Sequence, residues 1–204
     1  MKYTSTILAL TLTAAGCLLA GCKDMDDYDY SPGMGQNDVA ILPPGVFDGE
    51  WTVNRQVVDT ARLTVGSSLR VRLPEAYLTE LCFPGEAPEA IVDNEPQSYI
   101  LQQQGYSEQS QFMTLVTPTV ALADGQQVFY LPCHFRTVVG GRGYSVSILS
   151  RENGLAVYSN ETQLWTIGIP VNGFQVRSDE AAEPDIVWLP QTVSLYYNAK
   201  ARIK

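Results

Sequence analysis

The residues able to do chemistry are few, and their spacing argues against most catalytic machinery. A single histidine, His134, serves a chain of 204 residues. A serine or cysteine nucleophile needs a base within hydrogen-bond reach. His134 adjoins Cys133, but neighbouring strand residues point to opposite faces, so the two make a poor dyad. The chain has no Gly-x-Ser-x-Gly, and one histidine cannot supply His-Glu-x-x-His. No metal site and no cofactor is expected. Carboxylates concentrate in presumptive loops, at Glu86, Glu89, Asp93 and Glu95 and again at Asp179, Glu180, Glu183 and Asp185. Glycoside hydrolysis needs a facing pair of them. Nothing in the spacing selects a pair, so a carboxylate-dependent hydrolase ranks behind a solvated acidic surface. Gly140-Gly141-Arg142-Gly143 has the composition of a phosphate cradle, but such a cradle needs a helix N-terminus behind it, and β-rich runs flank this one. A hairpin turn is the better reading.

Aromatic faces are the other chemistry available. Trp188 follows an acidic loop within Asp185-Ile186-Val187-Trp188-Leu189-Pro190, and Tyr196 falls on the polar side of an alternating segment. Exposed rings of this kind stack on ligands such as sugars, whereas rings in β proteins more often fill the core. Trp188 and Tyr196 are therefore the candidate ligand-binding residues, and Tyr197 the expected core residue. The acidic balance, 22 Asp and Glu against 13 Lys and Arg, disfavours nucleic acid and anionic lipid surfaces.

Four cysteines divide into two groups. Cys17 and Cys22 lie in or beside an apolar run, Ile7–Ala20, that follows the positive charge of Lys2. The run is shorter than the roughly 20 apolar residues of a spanning helix, and Thr11, Thr13 and Gly16 break it. It has the parts of a secretory leader. Its end, Leu19-Ala20-Gly21-Cys22, resembles the lipobox of bacterial lipoproteins. That resemblance implies cleavage before Cys22, acylation of Cys22 and anchorage to a membrane through the lipid. Lys23 and the acidic residues after it, Asp24 to Asp29, resemble the surface-export signal of lipoproteins from Bacteroides and its relatives. The resemblance implies an outer-membrane lipoprotein displayed at the cell surface. The alternative is a plain solvated spacer on a periplasm-facing protein. Cys82 and Cys133 are an even pair in an oxidising compartment. A bridge between them would close a loop of about 50 residues, worth on the order of 4 kcal/mol. Two buried free thiols are the alternative.

These residues need a scaffold, and its dominant period is two. Residues 1–21 read as the leader and 22–45 as a flexible acidic tether ending in Pro43-Pro44. Residues 46–204 read as one domain. Leu69, Val71 and Leu73 alternate with Arg70 and Arg72, and Leu195, Tyr197 and Ala199 alternate with Tyr196, Asn198 and Lys200. Trp51 and Val53 share a face with Arg55 and Val57, and Trp165, Ile167 and Ile169 alternate with Thr166 and Gly168. Further strands are expected at 98–103, 110–117, 126–131, 134–139, 143–150, 155–159 and 173–177. Turn residues at 140–143, 151–154 and Val171-Asn172-Gly173 predict an antiparallel meander over 134–177. One short helix is expected from Pro74. Roughly ten strands without long helices make an all-β antiparallel sandwich. A barrel is the alternative, because Gly49-Glu50-Trp51 resembles the Gly-x-Trp of lipocalin-like barrels. The function implied is a membrane-anchored, non-enzymatic interaction module at the cell envelope, with an envelope or extracellular protein as partner. A cell-surface carbohydrate- or small-ligand-binding protein is the second reading.

Overall fold

The long strands come from segments where β-branched and aromatic residues alternate with polar ones, as a pleated sheet buried on one face requires. The computed structural model describes residues 43–89, 96–99, 101–106, 108–115, 119–121 and 127–204. The expected leader, Cys22 and most of the expected tether lie outside the described residues. The elements are β1 (Gly45–Val53), β2 (Gln56–Val65), β3 (Leu69–Val71), α1 (Glu75–Cys82), β4 (Gln97–Tyr99), β5 (Leu101–Tyr106), β6 (Ser110–Leu115), β7 (Thr119–Ala121), β8 (Gln127–Val139), β9 (Arg142–Ser150), β10 (Leu155–Ser159), β11 (Leu164–Ser178) and β12 (Asp185–Arg202). They form one 12-stranded sheet in which the described pairings are all antiparallel. Among the described residues the fold is all-β with one short helix, as expected. The sheet is strongly curled into a half-barrel, an arrangement between the sandwich and the closed barrel. No helix among the described residues is long and apolar enough to cross a membrane.

The hairpin of β11 and β12 is the spine. Along one path the order runs β4-β3-β2-β1-β12-β11-β10-β6-β5, while β9, β8 and β7 continue from the far half of β11. The split occurs at Asn172. Before it, Leu164–Gly168 pair with β10; after it, Gly173–Ser178 pair with β9. Opposite Asn172 the register with β12 jumps, from Val171–Val193 to Gly173–Trp188. The Asn172 side chain pins this corner: its Oδ1 accepts from the Arg151 backbone N–H at 2.8 Å, and its Nδ2 donates to Thr192 Oγ1 at 2.8 Å. Further register shifts at Asp48/Gly49, Trp51/Thr52 and Tyr130/His134 add the local bend and twist that bulges bring.

Several expectations change here. Val171-Asn172-Gly173 is a bulge inside one strand, where a turn was expected. Segments 126–131 and 134–139 are likewise one strand, β8. β9 and β10 do not pair with each other; both lie against β11, so residues 134–177 are not a simple meander. Trp51 and Val57 do not share a strand, because Asn54 and Arg55 form the two-residue turn between β1 and β2. Both have positive φ, 50° and 68°, the conformation such hairpins demand, reached here without glycine. The expected turn at Gly140-Gly141 is present between β8 and β9, with φ of 56° and 73°.

The buried face carries Trp51, Leu63, Phe135, Ile148, Trp165, Ile167, Phe174, Leu195 and Tyr197, each 1% exposed or less. The helix adds Leu78, Thr79 and Cys82 to that layer. It begins just after Pro74, whose carbonyl accepts from Leu78 N–H at 3.0 Å, and docks on β8 where Thr79 Oγ1 meets Thr137 Oγ1 at 3.1 Å.

Candidate functional site

On the outer face of the sheet, β10, β11 and β12 bring Leu155, Gly168 and Tyr196 into one row, paired Leu155–Gly168 and Gly168–Tyr196. Alternation sends Trp165, Ile167 and Ile169 to the core and leaves Thr166 and Gly168 outside. Gly168 has no side chain, so the sheet surface is notched there. The Tyr196 ring lies across the notch: a Cβ built on Gly168 would stand 3.3 Å from Tyr196 Cε1 and 3.6 Å from Cδ1. Tyr196 is 47% exposed and Leu155 39%. Around them a groove of about 330 Å³ is lined also by Glu152, Asn153, Thr166 and Ser194, at the small end of the ~300–1,000 Å³ usual for ligand sites.

Tyr196 is held from behind. Its carbonyl accepts from Thr52 Oγ1 at 3.3 Å, and Asn198 Nδ2 donates to the same Thr52 oxygen at 3.1 Å. The expected outward Tyr196 is therefore a side chain on a rigid central strand, the placement that favours precise contact. Trp188 is also exposed, at 40%, but it is not among the walls of this groove. Its ring lies beside Gly173, where a Cβ would be 2.8 Å from Cε3. The Arg151 guanidinium stands 5.7 Å from its centroid, within cation–π range. The structure thus brings Tyr196 together with Gly168 and Leu155 and leaves Trp188 outside the groove. Tyr106, a further aromatic of the sequence, has its side chain outside the described residues.

Gly168 and Leu155 escaped the sequence reading. The usable signal was a glycine within an otherwise β-branched strand, which marks either a bulge or a close approach of another group.

The described carboxylates hold other partners or stand in solvent. Asp48 pairs with Arg62 and Glu50 with Lys200, both at 3.1 Å, along a second, charged groove of about 500 Å³. Asp179 accepts from Arg136 at 2.7 and 2.9 Å, and Glu89 accepts from Gly141 N–H at 2.9 Å. Exposed pairs of this kind contribute about 0–1 kcal/mol each. Asp93 and Glu95 lie outside the described residues. His134 is exposed, and its carbonyl accepts from Gln97 Nε2 at 3.0 Å. No cluster of three or more metal-ligating side chains occurs among the described residues.

Cys82 is a buried thiol, 4% exposed, and burial pushes its pKa up to about 12. The Cys133 side chain lies outside the described residues. The proposed Cys82–Cys133 bridge is decided by mass mapping without reductant. A linked peptide establishes it; two alkylatable cysteines after denaturation replace it with free thiols. In the second case Cys82 resists alkylation of the native protein at pH 8, because the reactive thiolate is scarce and covered.

Comparison of the chain with protein families, with curated proteins and with solved structures gave no match. What the described residues define is an all-β half-barrel with an aromatic-walled groove on its outer face.

Proposed function

We propose that this chain is a lipid-anchored, non-enzymatic interaction module at the outer surface of the cell envelope, and that the Tyr196 groove is its contact surface. The anchor rests on the resemblance of Leu19-Ala20-Gly21-Cys22 to a lipobox. The contact surface rests on one observation: a tyrosine and a leucine are left about half exposed on either side of a glycine notch, on strands that are otherwise well packed. Apolar side chains grouped on an outer face beside polar ones are a feature of binding surfaces.

Three measurements test this reading. Cys22→Ser should abolish lipid labelling and move the protein from the membrane to the soluble fraction; a variant that keeps both lipid and membrane association overturns the anchor. Replacing Lys23 and Asp24 with Ala should lower protease accessibility on whole cells; unchanged accessibility makes the tether a spacer. A photo-crosslinking residue at position 196 should capture an extracellular or envelope component in intact cells, and the same residue at position 186 should not. Equal labelling at both positions removes the groove from the reading.

A further inference from the structure

We propose that the groove takes a neutral sugar ring of a glycan chain, seated over Gly168 against the Tyr196 ring. This rests on the reading of the groove as the contact surface and names its ligand class.

The shape comes first. The notch at Gly168 is flanked by Tyr196 and Leu155, its partners in the ladder, and the edge of the Tyr196 ring reaches over it. A ligand resting there meets the aromatic ring on one side and an aliphatic side chain on the other. Val157, Pro170 and the buried Ile169 add to this apolar lining, while Thr166, Ser194 and Asn153 supply hydroxyl and amide groups. A pyranose has this dual chemistry, with C–H groups on its faces and hydroxyls around its edge. A wholly apolar ligand would leave those hydroxyl and amide groups unmatched.

Charge narrows the class further. Glu152 is the charged residue in the lining, and no cation lines the groove. The chain as a whole carries a formal charge of −9. A phosphate, sulfate or uronate would meet repulsion with no cation to offset it. The sugar must be neutral.

Backbone pairing disfavours an extended peptide. β11 is paired with β10 and with β12 through the region of the groove. A peptide added to a sheet draws its affinity from an unpaired edge, and at Gly168, paired on both sides, the sheet offers none.

The test uses detergent-solubilised full-length protein and a panel of neutral hexasaccharides (cellohexaose, laminarihexaose, mannohexaose, xylohexaose), with polygalacturonate and heparin fragments as acidic counterparts. At least one neutral hexasaccharide should bind. Tyr196→Ala should weaken that binding at least about tenfold, as removal of a central aromatic contact does. Gly168→Val should do the same while keeping the tyrosine, because it fills the notch with a residue that strands favour. Tyr196→Trp should retain binding, and Ile186→Ala, a change at a residue outside the groove lining, should leave it unaltered. Melting temperatures measured on each variant separate lost binding from lost folding; Leu155→Ala replaces any variant that melts early. Preference for the acidic fragments, or neutral binding that survives both Tyr196→Ala and Gly168→Val, overturns the proposal. So does the absence of neutral binding. If that absence accompanies a specific protein crosslink at position 196, the interaction-module reading stands and the glycan falls. If it accompanies no specific crosslink, both fall.

Discussion

Tyr197→Ala is expected to lower the stability of the domain by about 3–5 kcal/mol, the usual cost of truncating a large buried ring. For a chain of this size each kcal/mol is worth about 2–4 °C, so the melting temperature should fall by about 10 °C. Tyr197 is fully buried on β12 opposite Trp51 of β1. The two rings meet edge to face, 5.6 Å between centroids at 64°. The Trp51 indole N–H continues the chain of contacts by donating to the Arg72 carbonyl at 2.8 Å, and the Tyr197 hydroxyl donates to the Phe47 carbonyl at 3.0 Å. This one side chain therefore ties the first strand to the last and reaches the segment after β3. Tyr197→Phe keeps the ring and loses the hydroxyl bond, so its cost should be only about 1–2 kcal/mol.

The same residue sets an alkaline limit. Burial, the largest cause, holds the phenol well above its ordinary value of 10.0; Asp48 adds to this, and a backbone hydrogen bond at Leu63 works against it. A group whose folded pKa is raised contributes stability that is complete below its unfolded pKa and is lost as pH rises through the folded value. The urea midpoint should be level to about pH 9 and fall above about pH 10, and Tyr197→Phe should make that fall shallower. Cys82, if its thiol is free, acts in the same direction from its ordinary value of 9.0 up to about 12. An unchanged alkaline limb in Tyr197→Phe would show that the phenol is solvated in the folded protein.

The parts of this fold that the sequence disclosed are those set by local alternation. Leu195, Tyr197 and Ala199 are buried and Tyr196 faces out, because period two needs no knowledge of neighbours. The helix after Pro74 and the Gly140-Gly141 turn were legible from equally local signals, a proline at the helix start and a pair of glycines. Asn172-Gly173 misled because the dipeptide carries the composition of a turn while its role depends on distant groups: Thr192 across the sheet and the Arg151 backbone. The Asn54-Arg55 turn left no mark, since neither residue is glycine. Of the groove, Tyr196 was legible from its own strand. The notch was not, because it exists only once β10 and β12 flank Gly168, and no local pattern says which strands will be neighbours. Tyr196 was already the better candidate in sequence, because alternation puts it on the polar face, and the structure separates the two further by placing Trp188 beside Gly173 and Arg151, outside the groove.

Gly49→Ala should be nearly as damaging as loss of the Tyr197 ring, although it adds one methyl group. Gly49 sits at the bulge of β1 against β12. A Cβ there would lie 2.5 Å from the Asn198 carbonyl oxygen and 2.6 Å from Cζ and the hydroxyl oxygen of Tyr197. No rotamer relieves the first contact, because it is with backbone, so β1 must move away from β12. Overpacking of this kind costs about 1–3 kcal/mol and sometimes more; the backbone contact places Gly49→Ala at the upper end. Pairing it with Tyr197→Leu separates the two obstacles. The double variant should lose less than the sum of the two single changes, since the ring clash is gone, yet remain worse than Tyr197→Leu alone because the Asn198 carbonyl stays. The displacement also reaches the groove: Thr52 of β1, itself held by Asn198 Nδ2, braces the carbonyl of Tyr196, so a shifted β1 loosens the strand that presents the ring. Equilibrium unfolding measures the first effect and crosslinking efficiency at position 196 the second. A Gly49→Ala protein within about 0.5 kcal/mol of wild type, the scale of an ordinary surface change, would mean that β1 and β12 do not approach this closely.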